Sequence, residues 1–124
     1  MEAQTKIRSY RDLVVWQKGI ALARAVYRLT AAFPDSEKFG LVSQMRRAAV
    51  SVPSNIAEGQ ARRGKREFLQ FLSHAGGSLA EVDTQLILSA ELGFLAGNGT
   101  EEASGLVPEL QKMLFSLRQK LAGY

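Results

Sequence analysis

The sequence predicts an all-α fold, an up-down antiparallel four-helix bundle. Apolar residues recur at three- and four-residue spacings in four successive segments, which is the period of amphipathic helices. The segments between them are short and contain glycine or proline, as expected between antiparallel neighbours. No segment alternates between apolar and polar residues as a half-buried strand does. We expect a flexible N-terminus over residues 1–9 and a single domain over residues 10–122.

The first helix is predicted to run from about Tyr10 to about Phe33. Ser9 and Asp12 have the spacing of a capping box, which marks a helix start. Pro34 disfavours helical geometry at the residue before it and therefore predicts the end.

Helix 1 carries two adjacent apolar stripes, a wider apolar surface than one packing partner requires. Trp16 and Tyr27 belong to one stripe, and aromatic residues are enriched at subunit interfaces. The two residues are therefore candidates for an oligomer interface, and packing inside the bundle is an equally good explanation. One stripe contains Leu13, Trp16, Ile20, Ala23 and Tyr27, and the other contains Val15, Leu22, Val26 and Leu29.

The second helix is expected to pass through Pro53, with a kink there, and to end between Ala61 and Arg63. Its apolar period continues on both sides of the proline. Proline in a helix interior costs about 3 kcal/mol, which neighbouring serine hydroxyls could offset by bonding to freed backbone groups. The stripe consists of Phe39, Val42, Met45, Ala49, Val52 and Ile56.

Glycine and proline residues mark the remaining two helices. Gly64 precedes the third helix, and Gly93 is expected to end it. The pair Gly76-Gly77 in its middle lowers helix stability and predicts the close approach of another helix. The fourth helix follows a glycine-containing loop and is expected to kink or restart near Pro108.

Composition fits a protein of the cytoplasm. The chain of 124 residues has a formal net charge of +4, no cysteine and no apolar run long enough to span a membrane. A chain without cysteine has no disulfides, zinc–thiolate sites or thiol catalysis. We expect no membrane partner, no cofactor and no small-molecule substrate.

The net positive charge is concentrated between residues 46 and 66, where six residues are basic and one, Glu58, is acidic, while the whole chain has a net charge of only +4. Arginine and lysine at this density can neutralise phosphates. A solvated helix face with pairs such as Glu58–Arg62 explains the same pattern. No aromatic residue alternates with the cluster, so we expect no base-stacking platform. The candidate nucleic-acid-binding residues are Arg46, Arg47, Arg62, Arg63, Lys65 and Arg66.

No group of residues has a pattern typical of an enzyme, so we expect neither catalysis nor a metal site. His74 is the one histidine, and position 71, three residues before it, is not the glutamate that the ligand pairs of di-iron bundles require. Neither the dinucleotide-binding glycine motif nor a phosphate-binding loop is present.

Four stretches of the sequence resemble one family of helical-bundle proteins. They are residues 12–18 (DLVVWQK), 44–59 (QMRRAAVSVPSNIAEG), 67–72 (EFLQFL) and 77–86 (GSLAEVDTQL). Together with the sequence around them, over about residues 8–121, they are similar to proteins related to bacterial 23S rRNA intervening-sequence proteins, some of which are labelled S23 ribosomal protein.

The resemblance implies an up-down four-helix bundle that assembles as a homopentamer. The fold is also similar to that of the accessory variability proteins of diversity-generating retroelements, which are basic pentamers that bind nucleic acid and a reverse transcriptase. No biochemical activity carries over, because the link to rRNA comes from gene position. The sequence departs from the usual pattern at Gly64, where a serine or threonine cap is common, and at Pro108.

Two functions fit these observations. The first is a non-enzymatic oligomeric binding or scaffold module that holds RNA or DNA through the basic segment. The second is a protein–protein adaptor whose basic segment docks an acidic partner without binding nucleic acid. Retardation of nucleic acid in a gel, followed as the salt concentration rises, distinguishes the two.

Overall fold

A computed structural model describes residues 7–96 and 98–123, and this range is helical with no strand. The four long helices are α1 Val14–Thr30, α2 Leu41–Ala61, α3 Lys65–Glu91 and α4 Thr100–Ala122. Short 3₁₀ turns at Tyr10–Asp12 and Asp35–Glu37 precede α1 and α2. Helices α1 and α3 each pack against both α2 and α4, which closes a bundle around one core. The predicted fold class is confirmed.

The predicted capping box forms, but it caps a 3₁₀ turn instead of α1. The Ser9 hydroxyl accepts a hydrogen bond from Arg11 N (3.2 Å), and Asp12 Oδ2 accepts one from Ser9 N (3.2 Å). The backbone is extended at Leu13, so α1 begins at Val14, later than the expected start. Of the N-terminal segment predicted to be flexible, residues 1–6 lie outside the described residues.

Only one of the two apolar stripes of α1 faces the core. The stripe of Val15, Leu22, Val26 and Leu29 is buried. The other stripe lies at the edge of the bundle, where Ile20 is 39% and Tyr27 is 47% exposed. The bundle therefore covers only part of the wide apolar surface of α1.

Helix α2 continues through Pro53, as predicted. Pro53 is buried against Gly19 of α1, where an added methyl group would lie 3.2 Å from Pro53 Cβ. That distance is shorter than ordinary carbon–carbon contact, so this glycine allows the close approach of α1 and α2. Ser51 Oγ lies 2.8 Å from Ser78 Oγ and links α2 to α3.

Phe39 does not belong to the buried stripe of α2, and that prediction is wrong. Gly40 has φ −113° and ψ −106°, outside helical geometry, so the helix begins at Leu41. The Phe39 side chain lies in the preceding connection and is 90% exposed. Its spacing from Val42 matches a helical period, but no helix is present there to turn it inward.

Helix α4 is continuous from Thr100 to Ala122, so the restart that was one of the two expectations at Pro108 does not occur. Ser104 and Pro108 are both exposed, so water can bond to the carbonyl that the proline leaves without a partner. Methyl groups added at Gly76 and Gly77 would meet no described atom within 4 Å outside the adjacent turns of α3, so the predicted close approach of another helix is wrong within this chain.

Glycines with positive φ shape the connection between α3 and α4. Gly93 (φ 77°) follows the end of α3 as predicted, and Phe94 N donates to Ser89 O at 2.9 Å. Gly99 (φ 96°) precedes α4, where a methyl group would lie 2.6 Å from the carbonyl oxygen of Ala25. The end of this connection is therefore packed tightly against α1.

Ion pairs join α1 to α4 at the surface. Lys18 Nζ lies 3.1 Å from Glu109 Oε2, and Arg28 pairs with Glu102. Exposed pairs of this kind contribute little stability, so the core supplies most of it. In the described part of the chain, no helix combines the length and apolar character needed to cross a membrane.

Candidate nucleic-acid interface

The six basic candidates occupy two separate places. Arg46 and Arg47 lie near the start of α2, and Arg62 follows its last residue. At a helical rise of about 1.5 Å per residue, the two groups are about 24 Å apart along the helix. On a single chain they therefore do not form one continuous surface.

Arg46 is bound within its own bundle. Its Nε donates to Thr30 Oγ1 (2.9 Å), and an Nη donates to the carbonyl oxygen of Tyr27 (3.3 Å). The guanidinium carbon lies 4.5 Å from the centre of the Tyr27 ring, a cation–π distance. A cationic side chain stabilises the carbonyl end of a helix, and Arg46 has this position at the end of α1. The residue is thus less available to phosphate than the sequence suggested.

Arg47 is exposed, and among the described residues its side chain has no hydrogen-bond or ion-pair partner. It lines two grooves beside the start of α2. One, of about 460 Å³, also contains Gln44 and Glu81, and the other, of about 500 Å³, contains Tyr27 and Phe39. Of this pair of arginines, Arg47 is the one that an external anion can reach.

The turn between α2 and α3 places Arg63 in a backbone conformation that usually requires glycine. Its φ is 64°, and no other described residue except glycine has a positive φ. Arg62 N bonds to Glu58 O (3.2 Å), and Arg63 N bonds to Gln60 O (3.2 Å), which ends α2. A residue with a Cβ in this left-handed conformation costs about 1–2 kcal/mol. Arg63 therefore lowers the stability of the turn.

The side chains of the turn differ in their partners. Arg62 Nη2 pairs with Glu58 Oε2 at 2.9 Å, and its guanidinium carbon lies 5.2 Å from the centre of the Phe71 ring. Within the described chain, the side chains of Arg63 and Arg66 have neither hydrogen-bond nor ion-pair partners. Both are exposed. These two arginines are the most accessible cations of the basic segment at this end.

Arg63 and Lys65 line a cleft of about 690 Å³ at this end of the bundle. We call it the end cleft. Arg8 and Tyr10 of the N-terminal turn line it as well, together with Phe68 of α3. Three basic residues from two distant parts of the sequence thus surround one cavity, which lies beside the exposed turn.

Aromatic residues lie beside the basic cluster in the fold, although none alternates with it in the sequence. Tyr10 and Phe68 line the end cleft with the cations, and Phe71 lies beneath Arg62. Tyr10 lies far from the basic segment in sequence, and only the fold brings the two together. Phe68 follows the segment directly, but its helical spacing indicated a core position.

The capping box holds the N-terminal side of the end cleft. Asp12 Oδ2 accepts hydrogen bonds from Arg8 N (2.8 Å) and Ser9 N (3.2 Å). These bonds, first the one from Arg8, hold the pKa of Asp12 below its ordinary value. A lowered carboxyl pKa stabilises the fold above its ordinary titration range, and this stabilisation is lost as the pH falls through the lowered pKa. The turn is therefore held throughout the neutral range.

The start of α3 carries basic residues at the end of the helix where the dipole disfavours positive charge. Lys65 and Arg66 occupy the first turn, where partial positive charge on the N–H groups favours acidic residues. Glu67 is the acidic residue of that turn. Helix N-termini bind anions through the same N–H groups. The basic side chains and the N–H groups of the helix therefore both contribute positive potential beside the end cleft.

The two residues predicted at an oligomer interface have different surroundings. Trp16 is half-buried and packs against the core of its own bundle. Tyr27 is 47% exposed, although Arg46 covers its ring. Tyr27 lines a surface groove with Phe39 and Val50, which are exposed as well. Of the two, Tyr27 is the more accessible to a second subunit.

No cluster of metal-ligating side chains occurs in residues 7–96 and 98–123. The fold and the site together define a small four-helix-bundle protein with a basic cleft at one end. Residues 11–116 match the family model described as 23S rRNA-intervening sequence protein. The chain therefore belongs to the 23S rRNA-intervening sequence protein family, as the resemblance indicated. A comparison with curated proteins finds no match.

Proposed function

We propose that the protein is a non-enzymatic, oligomeric module of the cytoplasm that binds RNA or DNA through its basic end. The observation that carries this proposal is the convergence of Arg8, Arg63 and Lys65 on the end cleft. Arg62 and Arg66 extend the positive surface along the adjacent turn. A cluster of cations on one part of a small domain is the electrostatic footprint of a nucleic-acid-binding protein.

The chemistry of the turn favours phosphate as the group that is bound. Arginine binds phosphate oxygens through two parallel hydrogen bonds, and the side chains of Arg63 and Arg66 have no such partner among the described residues. The N-terminus of α3 adds a partial positive charge at the same place. Phosphate contacts hold a strand without reading its bases, so we expect little sequence preference.

Assembly would multiply this site. The family resemblance implies a homopentamer, in which a weak basic surface recurs five times and binds one strand with multivalent strength. Exposed large apolar side chains support self-association, with Phe39 90%, Ile87 58% and Leu92 52% exposed. We place Tyr27, Phe39 and Val50 in the proposed interface. Trp16 packs within its own subunit and is left out of it.

The proposal is tested by measuring the affinity for nucleic acid as a function of salt. A variant with Arg62, Arg63, Lys65 and Arg66 all changed to glutamine should lose at least about tenfold in affinity at 50 mM salt. Its logarithmic salt slope for a single strand should fall by up to about 3, since each lost phosphate contact removes about 0.7. Fluorescence anisotropy with labelled RNA and DNA measures both quantities.

A matched control changes four exposed cations outside the end cleft to glutamine: Arg24, Arg28, Lys112 and Arg118. The control has the same net charge as the test variant, so equal losses in both would show that only overall charge matters and would contradict the proposed site. Failure of the wild-type protein to bind any nucleic acid at about 50 mM salt would overturn the proposed function. A protein adaptor with an acidic partner would then be the better account.

A further inference from the structure

We infer that the end cleft accepts an unpaired nucleotide, so that the protein binds single-stranded RNA or DNA in preference to a duplex. The inference rests on the proposed function and adds to it the kind of strand that the site takes. It depends on the aromatic residues of the cleft, which simple neutralisation of phosphates does not require.

The end cleft contains both parts of a single-strand site. Such sites combine cations along the backbone of the strand with aromatic rings on which successive bases stack. Here Arg8, Arg63 and Lys65 are the cations, and Tyr10 and Phe68 are the aromatic residues. A base in a duplex is already stacked on its neighbours, so only an unpaired base is free to use these rings.

The shape of the cleft favours the same ligand. Its volume of about 690 Å³ lies within the usual range of small-ligand pockets. A cavity of this size can hold an extruded nucleotide, whereas an intact duplex can only lie across its mouth. The single strand would therefore gain stacking and phosphate contacts, while the duplex would gain phosphate contacts alone.

Both rings are held in place before any ligand arrives. The Tyr10 ring lies 5.3 Å from the Trp16 ring, and the capping box fixes the turn that carries it. Phe68 packs against the end of α2, where a methyl group at Gly59 would lie 3.1 Å from Phe68 Cδ1. Rings that are already ordered lose little entropy on binding, which favours affinity.

The test compares wild-type protein with Tyr10→Leu, which removes an aromatic ring and keeps an apolar side chain. The ligands are single strands of about 20 uridines or thymidines and a duplex of the same length. Wild-type protein should favour the single strands by at least about tenfold, the value of stacking one base. Tyr10→Leu should lose most of that preference and keep its affinity for the duplex. Phe115→Leu, an exposed aromatic residue outside the cleft, is the matched control.

A second measurement needs no variant. Trp16 is the single tryptophan of the chain and contacts Tyr10, so its fluorescence reports on the cleft. Titration with the uridine strand should change the Trp16 emission, and titration with the duplex should change it much less. Circular dichroism of Tyr10→Leu verifies that the variant is folded.

The outcomes separate the two proposals. Binding of single strand and duplex with equal affinity, and unchanged emission from Trp16, would overturn the inference and leave nucleic-acid binding in place. If Tyr10→Leu lost the same factor in affinity for the single strand and for the duplex, the inference would also be overturned. The ring would then only help to hold the basic side chains in position. Failure of the wild-type protein to bind either ligand would remove the proposed function itself.

Discussion

Arg63 illustrates a conflict between stability and binding in a single residue. Its φ of 64° suits glycine, and its side chain lies at the end cleft without a hydrogen-bond or ion-pair partner in the described chain. The left-handed backbone conformation is unfavourable, and no side-chain contact in the described chain offsets its cost in free energy. Strained residues of this kind are concentrated at functional sites.

We predict that Arg63→Gly raises stability and lowers affinity. Relief of the left-handed strain should increase the free energy of unfolding by about 1 kcal/mol. Loss of one phosphate contact should weaken binding severalfold and reduce the salt slope by about 0.7 for a single strand. Chemical denaturation and anisotropy measure the two effects on the same protein.

Arg63→Ala is the control for this prediction, because it removes the guanidinium and keeps the Cβ. It should weaken binding as much as glycine does and leave stability within about 0.5 kcal/mol of wild type. An Arg63→Gly protein that is less stable than wild type would show that the arginine makes a stabilising contact in the assembled protein.

At the scale of the helices, glycines differ in whether they permit a close approach. Gly59 near the end of α2 is buried, and a methyl group there would lie 2.7 Å from Phe71 Cβ. That carbon is attached directly to the backbone of α3, so it cannot move without shifting the helix. Gly105 in α4 is exposed, with no described atom within 4 Å of an added methyl group.

We predict opposite effects for the same substitution at these two positions. Gly59→Ala should lower the free energy of unfolding by about 1–3 kcal/mol through overpacking. Gly105→Ala should raise it by up to about 1 kcal/mol through helix propensity. Thermal and denaturant unfolding compare the two variants. Similar shifts in the same direction would show that α2 and α3 can move apart at little cost in free energy.

Helix ends were predictable where one residue determines them locally. Gly64 and Gly93 mark the ends of α3 as expected, because each acts on its own backbone. Phe39 was misassigned because helical spacing also occurs by chance in a connection. Gly76 was misinterpreted because a glycine in a helix does not reveal whether a neighbour is present.

The candidate site was only half predictable for a related reason. Arg63 and Lys65 are neighbours in sequence, and their charge density is visible there. Arg8 and Tyr10 join them through the packing of the N-terminal turn against α2. No pattern near residue 10 indicates such a partner. Arg46 was included among the predicted nucleic-acid-binding residues, because its bonds to α1 depend on the packing of two helices and cannot be seen in the sequence.

On the scale of the whole molecule, the main feature that the single bundle does not explain is its exposed apolar surface. Phe39 is 90% exposed, and Ile87, Leu88 and Leu92 are 58%, 46% and 52% exposed near the end of α3. A ring of subunits uses two different surfaces of each chain, and closure of the ring leaves neither one free. Exposed apolar side chains of this kind are what such contacts would bury.

We predict that Phe39→Ser weakens assembly without unfolding the subunit. The side chain makes little contact within its own bundle, so helicity should be unchanged, whereas an interface that buries it would lose about 2 kcal/mol or more per contact. Light scattering during size-exclusion chromatography should report about five subunits for wild type, the number that the family resemblance implies for a closed ring, and smaller species for the variant on dilution. Phe39→Leu is the control and should assemble nearly as well. An unchanged mass for Phe39→Ser at every concentration would place Phe39 outside the interface.

An even number of antiparallel helices returns the chain to the end of the bundle where it started. Ile7 and Leu121 accordingly line the same cleft. A circular permutant that joins these two ends by a short linker, and opens the chain near Gly93, should keep every helix pairing. The linker would run beside the cleft, because both of the residues that it joins line it. A label that must leave the cleft open therefore belongs in the connection between α3 and α4, at the opposite end of the bundle.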